Sequence, residues 1–363
     1  MGVAARNLVR DKTRLGLSVV GVALAIMLIL VLNGFIAGIY LQVSAYLDHA
    51  PGSVAVLQAG SGGASSVIPA ATADTVRRVE GVDKVVPVIS QWAVLDLSGT
   101  KQFVYVLGYD PAIGGGPWRL RTGRGAAADD EMVFDGVLAD RRGVHLGDRV
   151  ALMGRTFSVV GLSEGTTSWM TSYLFVRNSA AEKLCGAPGT VSYLLVTPRN
   201  GVSAEQLKSR LLRIPGTEVQ LKSDMIATER RLNAGVFSVP LQLMAAIASL
   251  VGTLVVGLVV YSGTIERQRE YGVLKAIGAR NRVLYRVVAT QALVASVAGA
   301  ALGVILAAAA AQLIMALRPQ FLIVIEPGSV VIAMAIGVGM AILSALFPAR
   351  LLAHLAPADV FRR

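Results

Sequence analysis

The 363-residue sequence carries 34 Lys and Arg against 23 Asp and Glu, for a formal net charge of +11. Hydrophobic residues make up 54% and charged residues 16%, against roughly 45–50% and about 25% in soluble domains, which excludes a single aqueous globule. The positive balance does not indicate a nucleic-acid binder. Thirteen Lys and Arg, against four Asp and Glu, lie in three short segments beside apolar stretches, while the rest of the chain holds twenty-one against nineteen. A nucleic-acid binder would gather its cations on one soluble face.

In chain order, the first element is an apolar stretch between Arg14 and Asp48 with no charged residue inside it. It provides the roughly 20 residues needed to cross about 30 Å of hydrocarbon. Arg6, Arg10, Lys12 and Arg14 precede it as in a secretory signal, but the apolar run continues to about Tyr40. That exceeds the roughly 7–15 residues of a signal core, and the expectation is a retained membrane helix. Residues 49–73 are also uncharged, yet rich in Gly, Ser and Pro. Their backbone would be unsatisfied in lipid, so they read as a loop with one strand at 53–58.

Next comes a segment long enough for a domain of mixed α+β type. Short runs rich in β-branched and aromatic residues predict strands at 91–97, 102–107, 149–153, 156–161, 173–176 and 193–196. Helices are predicted at 73–80, 137–142 and 203–212, the last opened by a capping box of Ser203 and Gln206. Gly147-Asp148 marks a turn between a helix and a strand. The acidic run Asp129-Asp130-Glu131 reads as a solvated loop. Cys185 is the only cysteine and reads as a small apolar residue.

Three further uncharged stretches follow, between Arg231 and Glu266, between Arg286 and Arg318, and between Glu326 and Arg350. The expected architecture is thus membrane α-helical, with four transmembrane helices and an α+β extracytoplasmic domain inserted between helices 1 and 2. The domain limits are 1–44 for the N-terminus and first helix, 45–236 for the inserted domain, and 237–363 for helices 2–4. With four spans, the three basic segments share one side, and the excess of Lys and Arg places that side and both termini in the cytoplasm. Small residues crowd the last spans, and Gly299 and Gly303 form a G-x-x-x-G that suits packing within the chain and dimerisation equally. Asn33 and Gln312, polar exceptions inside the spans, are expected to bond between helices. No span carries an interior charge, which argues against an ion or proton path.

The P-loop signature is missing: the dipeptide Gly-Lys, which ends it, does not occur. His49, His145 and His354 have no partner at metal-ligand spacing, and a zinc site is not expected.

The most informative segment follows the second span. Residues 264–280 read Thr-Ile-Glu-Arg-Gln-Arg-Glu-Tyr-Gly-Val-Leu-Lys-Ala-Ile-Gly-Ala-Arg. Periodicity gives a short amphipathic helix with Val273, Leu274 and Ile277 on one face and Gly278 as its C-cap. On that ground alone it fits a basic helix lying on lipid headgroups. In order, Glu266, Arg267, Arg269, Glu270, Gly272, Lys275, Ala276, Gly278 and Ala279 also resemble the signature loop of the FtsX/MacB-like ABC transporter permeases, the mechanotransmission type. Tyr271 departs from the smaller aliphatic residue usual there. The resemblance spans the chain. It includes the start at Ala5-Arg6-Asn7-Leu8-Val9-Arg10 and the end at Phe347-Pro348-Ala349-Arg350 with Pro357-Ala358-Asp359. In the inserted domain, Gly108-Tyr109-Asp110-Pro111, Gly123-Arg124, Val137-Leu138-Ala139, Leu146-Gly147-Asp148 and Val159-Val160-Gly161 resemble the MacB-like periplasmic core domain.

The resemblance implies a non-catalytic permease subunit whose 264–280 segment is a coupling helix seated on a separate ABC ATPase, two copies of which bind ATP and Mg. Glu266, Arg269, Glu270 and Lys275 would make polar contacts with that ATPase. Val273 and Ile277 would bury against it, and Gly272 and Gly278 would allow close approach. No cofactor is expected in this chain. The expected partners are the ATPase, a second permease identical or paralogous to this one, and the bilayer, with room for an extracytoplasmic accessory protein. The expected location is the cytoplasmic (inner) membrane. The cargo would be a lipoprotein, lipid, peptide or drug. The competing reading is a membrane-anchored receptor or a regulator of cell-wall hydrolases with a ligand-binding extracytoplasmic domain.

Overall fold

The computed structural model describes residues 12–61, 66–97, 99–168, 170–266, 273 and 281–353. They form two compact units. One draws on Met1–Gly38, Val236–Arg318 and Ile323–Arg363, the other on Ile39–Gly235 and Pro319–Leu322.

The first unit is a helical bundle of α1 (Lys12–Val43), α8 (Gly235–Glu266), α9 (Asn281–Leu317) and α10 (Pro327–Ala353). Each contains a stretch long and apolar enough to cross a membrane: Leu15–Val43, Gly235–Val259, Ala292–Leu317 and Pro327–Ser344. Val22, Ile26, Ile29 and Leu30 of α1 are fully buried and pack with small residues, among them Ala300, Ala307 and Ala333. Close approach requires glycine. A Cβ added at Gly299 would fall 2.6 Å from Val22 Cβ and 2.8 Å from the Val19 carbonyl oxygen. One at Gly303 would fall 2.8 Å from both the Ala23 oxygen and Ile26 Cβ. The G-x-x-x-G is thus occupied by helix α1 of the same chain. Asn33 is half-buried, while Gln312 is exposed and not enclosed between helices. Leu243, Leu250, Leu254 and Leu258 point outward from α8, as expected where lipid replaces water.

The second unit is an α+β domain on a mixed ten-strand sheet. Its elements are α2 (Ala45–His49), β1 (Val54–Gln58), β2 (Ile68–Pro69), α3 (Thr72–Arg77), β3 (Val82–Leu97), β4 (Thr100–Tyr109), β5 (Leu120–Gly123), β6 (Glu131–Asp135), α4 (Gly136–Arg142), β7 (Arg149–Leu152), β8 (Arg155–Ser163), β9 (Ser172–Arg177), α5 (Asn178–Cys185), β10 (Thr190–Val191), β11 (Tyr193–Pro198), α6 (Ala204–Leu211), β12 (Thr217–Leu221) and α7 (Lys222–Glu229). The strand order is β12-β1-β11-β3-β4-β9-β6-β8-β5, with β7 paired to β8 and a separate β10–β2 pair. Alternate residues serve opposite faces. Leu194 and Val196 join one core with Leu207 and Leu211 of α6, while Tyr193 and Leu195 join the other with Tyr46, Leu47 and Met225. Because both faces are covered, a strand such as β9 reads Tyr-Leu-Phe-Val without alternation.

Every strand and helix predicted within this domain is present, with shifted ends. The Ser203 capping box forms as expected. The acidic run is not a plain solvated loop: Glu131 opens β6, and its carboxylate takes Arg124 at 2.5 Å. Asp129 accepts from Lys183 Nζ at 2.7 Å and from the Ser179 hydroxyl.

Candidate functional site

The segment singled out by sequence lies between two helices that outrun their apolar windows. Helix α8 continues from Val259 to Glu266, about 10 Å at 1.5 Å per residue. Helix α9 begins at Asn281, ahead of its window at Ala292, giving about 16 Å more. Each is thus apolar in its middle and continues as helix into a polar stretch on the side of residues 267–280.

Glu266 is the last residue of α8 and is exposed. Val273 is helical and 43% exposed. Arg269, Glu270, Gly272, Lys275, Ile277 and Gly278 lie outside the described residues. Beyond the segment, Arg286 is exposed on α9.

Sequence reasoning did not single out a polar knot in the inserted domain. At the end of α1, Gln42 Nε2 donates to the Gln320 carbonyl at 3.1 Å and the Thr167 carbonyl at 3.3 Å, and the Tyr173 hydroxyl donates to the Gln42 carbonyl at 3.3 Å. Thr167 in turn donates to Asp135 at 2.7 Å. Asp135 is fully buried and caps α4 by accepting from the Leu138 amide at 2.8 Å, and it also accepts from the Thr166 hydroxyl at 2.6 Å. Burial pushes its carboxyl up from the ordinary value, opposed by these hydrogen bonds.

A second clasp joins the chain entering and leaving the domain. Arg230 donates to Ser44 Oγ at 2.8 Å and pairs with Asp48 at 3.0 Å, while the Ser44 hydroxyl donates to Asp48 at 2.7 Å. Arg230 opens a wide helical turn, Arg230–Ala234, of the kind often found at functional joints. The available signal was charge just outside each of the first two apolar stretches: Asp48 after the first, and the run Glu229-Arg230-Arg231 before the second.

Tyr173, Tyr105 and Tyr46 sit in an aromatic layer on the same sheet face. Desolvation raises all three phenols, that of Tyr105 to about 12. Among the described residues, no group of three or more His, Cys, Asp or Glu side chains is placed to hold a metal ion.

Four helices fit to cross a membrane, with a sheet-rich α+β domain between the first two, define a polytopic membrane protein. Residues 15–214 match the MacB-like periplasmic core domain, and residues 243–357 match the FtsX-like permease C-terminal model. The chain belongs to the FtsX/MacB-like family of ABC transporter permeases.

Its relatives include an uncharacterized ABC transporter permease of Mycobacterium tuberculosis. The two are 28% identical over 317 residues, covering 85% of this chain and 86% of that protein. One from Mycobacterium bovis is 27% identical over 368 residues, covering 99% and 98%. Among solved structures, the periplasmic region of MacB from Actinobacillus actinomycetemcomitans aligns at 15% identity over 50% of this chain and 94% of that one, with a TM-score of 0.38.

Proposed function

We infer that this chain is the membrane subunit of an ABC transporter in which residues 264–280 seat on a separate ATPase. The observation that carries the reading is the FtsX-like match over residues 243–357, which encloses that segment, α9 and most of α8. Glu266, Arg269, Glu270 and Lys275 form the polar contacts, Val273 and Ile277 the apolar ones, and Gly272 and Gly278 the points of close approach. ATP and Mg are bound by the partner, and this chain performs no catalysis and carries no cofactor.

The work is mechanical. Closure of two ATPase subunits displaces the segment, and α8 and α9 carry the displacement through the bilayer, because a helix held by its backbone bonds behaves as a rod. The domain of residues 45–236 lies outside the cytoplasm, where it exports or releases a lipoprotein, lipid, peptide or drug. The termini and the 264–280 segment face the cytoplasm, where the thirteen clustered cations meet anionic lipid. The location is the inner membrane, in a dimer with an identical or paralogous permease.

The test is purification of the tagged full chain in mild detergent, with and without Glu266→Ala and Arg269→Ala together. The reading expects a co-purifying ATPase that the double variant loses. Absence of any ATPase with wild type, in the presence of nucleotide, would favour an anchored receptor.

A further inference from the structure

The β3–β4 hairpin is two-faced in an unusual way. Its inner positions, Ala93, Leu95, Val104 and Val106, are buried in the core with Val150 and Leu152. Its outer positions should then be polar, yet Trp92 is 49% exposed, Val94 49% and Phe103 63%. Val94 and Phe103 are direct cross-strand partners, as are Trp92 and Tyr105, so the apolar side chains form one patch. Met170, 47% exposed, adjoins it through Thr171, whose hydroxyl donates to the Phe103 carbonyl at 3.4 Å.

The patch has a defined neighbour. The Trp92 ring lies 4.8 Å from that of Tyr105, which lies 5.9 Å from that of Tyr173, and the Tyr173 hydroxyl bonds the carbonyl of Gln42. Gln42 belongs to the last turn of the stretch Leu15–Val43. Within this unit, therefore, the bare end of the sheet face adjoins the point where the first span leaves the bilayer. The rest of that face is covered by Tyr46 and Leu47 of α2 and Met225 of α7.

We propose that the Trp92, Val94 and Phe103 patch rests on the membrane surface, with phospholipid as its partner. Tryptophan and tyrosine, apolar in body and polar at the tip, favour the headgroup level. Lys101, exposed near the turn, supplies a cation for lipid phosphates. The backbone sets the depth. Strand β11 pairs β3 only from Val82 to Val88, and β9 pairs β4 only from Val104 to Tyr109. The outer edges of the hairpin beyond those pairs need water or headgroups, which holds the patch at the interface and out of the hydrocarbon. The domain then has a second footing on the bilayer besides its helical connections. This placement holds whether or not residues 264–280 bind an ATPase.

The test uses the full chain in phospholipid nanodiscs, with Cys185→Ser and a nitroxide at Phe103→Cys, at Val94→Cys, or at Glu205→Cys on exposed α6 as control. The proposal expects the ratio of oxygen to nickel-chelate accessibility at 94 and 103 to be severalfold that at 205, and to fall to the control level in detergent-free amphipol. Equal ratios at all three positions in nanodiscs would overturn it. Spin–spin broadening at 103 that disappears on dilution with unlabelled chain would assign the patch to a second copy instead, and would also overturn it.

Discussion

Replacing Gly299 and Gly303 with alanine tests the seam between α1 and α9. A Cβ at Gly299 would lie 2.6 Å from Val22 Cβ, where carbon atoms prefer about 3.5–4.0 Å. The second obstacle at each position, the carbonyl oxygen of Val19 or Ala23 at 2.8 Å, belongs to helix backbone and cannot rotate away. The helices must therefore part by about 1 Å, a gap that forfeits a quarter to a half of each dispersion contact along the seam. Overpacking of this kind costs about 1–3 kcal/mol. The two glycines are one turn apart against the same helix, so the second substitution adds less than the first. Each single variant should lose about 1–3 kcal/mol and the double variant about 2–4 kcal/mol. Unfolding by SDS titration in mixed micelles measures this, and the loss should not depend on protein concentration. Unchanged midpoints together with a fall in the dimer fraction would refute the intrachain seam and return the motif to dimerisation.

Two predictions concern the inserted domain. Asp135→Ala removes a cap worth about 0.5–2 kcal/mol and takes the Asp135 acceptor from the buried Thr166 hydroxyl, at about 1–3 kcal/mol. Thermal unfolding of the full chain should show a loss of about 2–4 kcal/mol, and Asp135→Asn a smaller one. Burial raises the Asp135 pKa, so its contribution is full below the unfolded pKa and lost as pH rises through the folded one. The deficit of Asp135→Asn should accordingly shrink with rising pH; a deficit that grows would contradict this. Arg124 and the amides of Ala127 and Ala128 hold Glu131 down to about 2. That stabilisation is present above the unfolded value of 4.5 and lost as pH falls toward about 2. The melting difference between wild type and Arg124→Ala should therefore close across that window, and a constant difference would show that Glu131 is not the partner.

The legible parts of the fold were those governed by local rules. Uncharged stretches found all four spans, and Ser203 with Gln206 found the start of α6, because hydropathy and capping act within a few residues. The first half of β3, strand β6 and helix α5 were missed, as they are specified by packing against distant strands. Burial on both faces also erases the alternation that would have marked them. Asp135 passed unnoticed for the same reason: its partners Thr166 and Thr167 lie thirty residues on. For residues 264–280, periodicity gave only an amphipathic helix, and the coupling role proposed for them rested on the family pattern. The apolar outer positions of the β3–β4 hairpin were visible as letters, but their exposure needed the register.

The most direct test of the proposed function places a photocrosslinking amino acid at Val273 in the full-length membrane protein, with Leu243, exposed on α8, as the control. Irradiation in native membranes should attach an ATP-binding protein at 273 and only lipid at 243. An adduct at 273 that contains lipid alone would contradict ATPase coupling and leave the segment as a helix resting on headgroups.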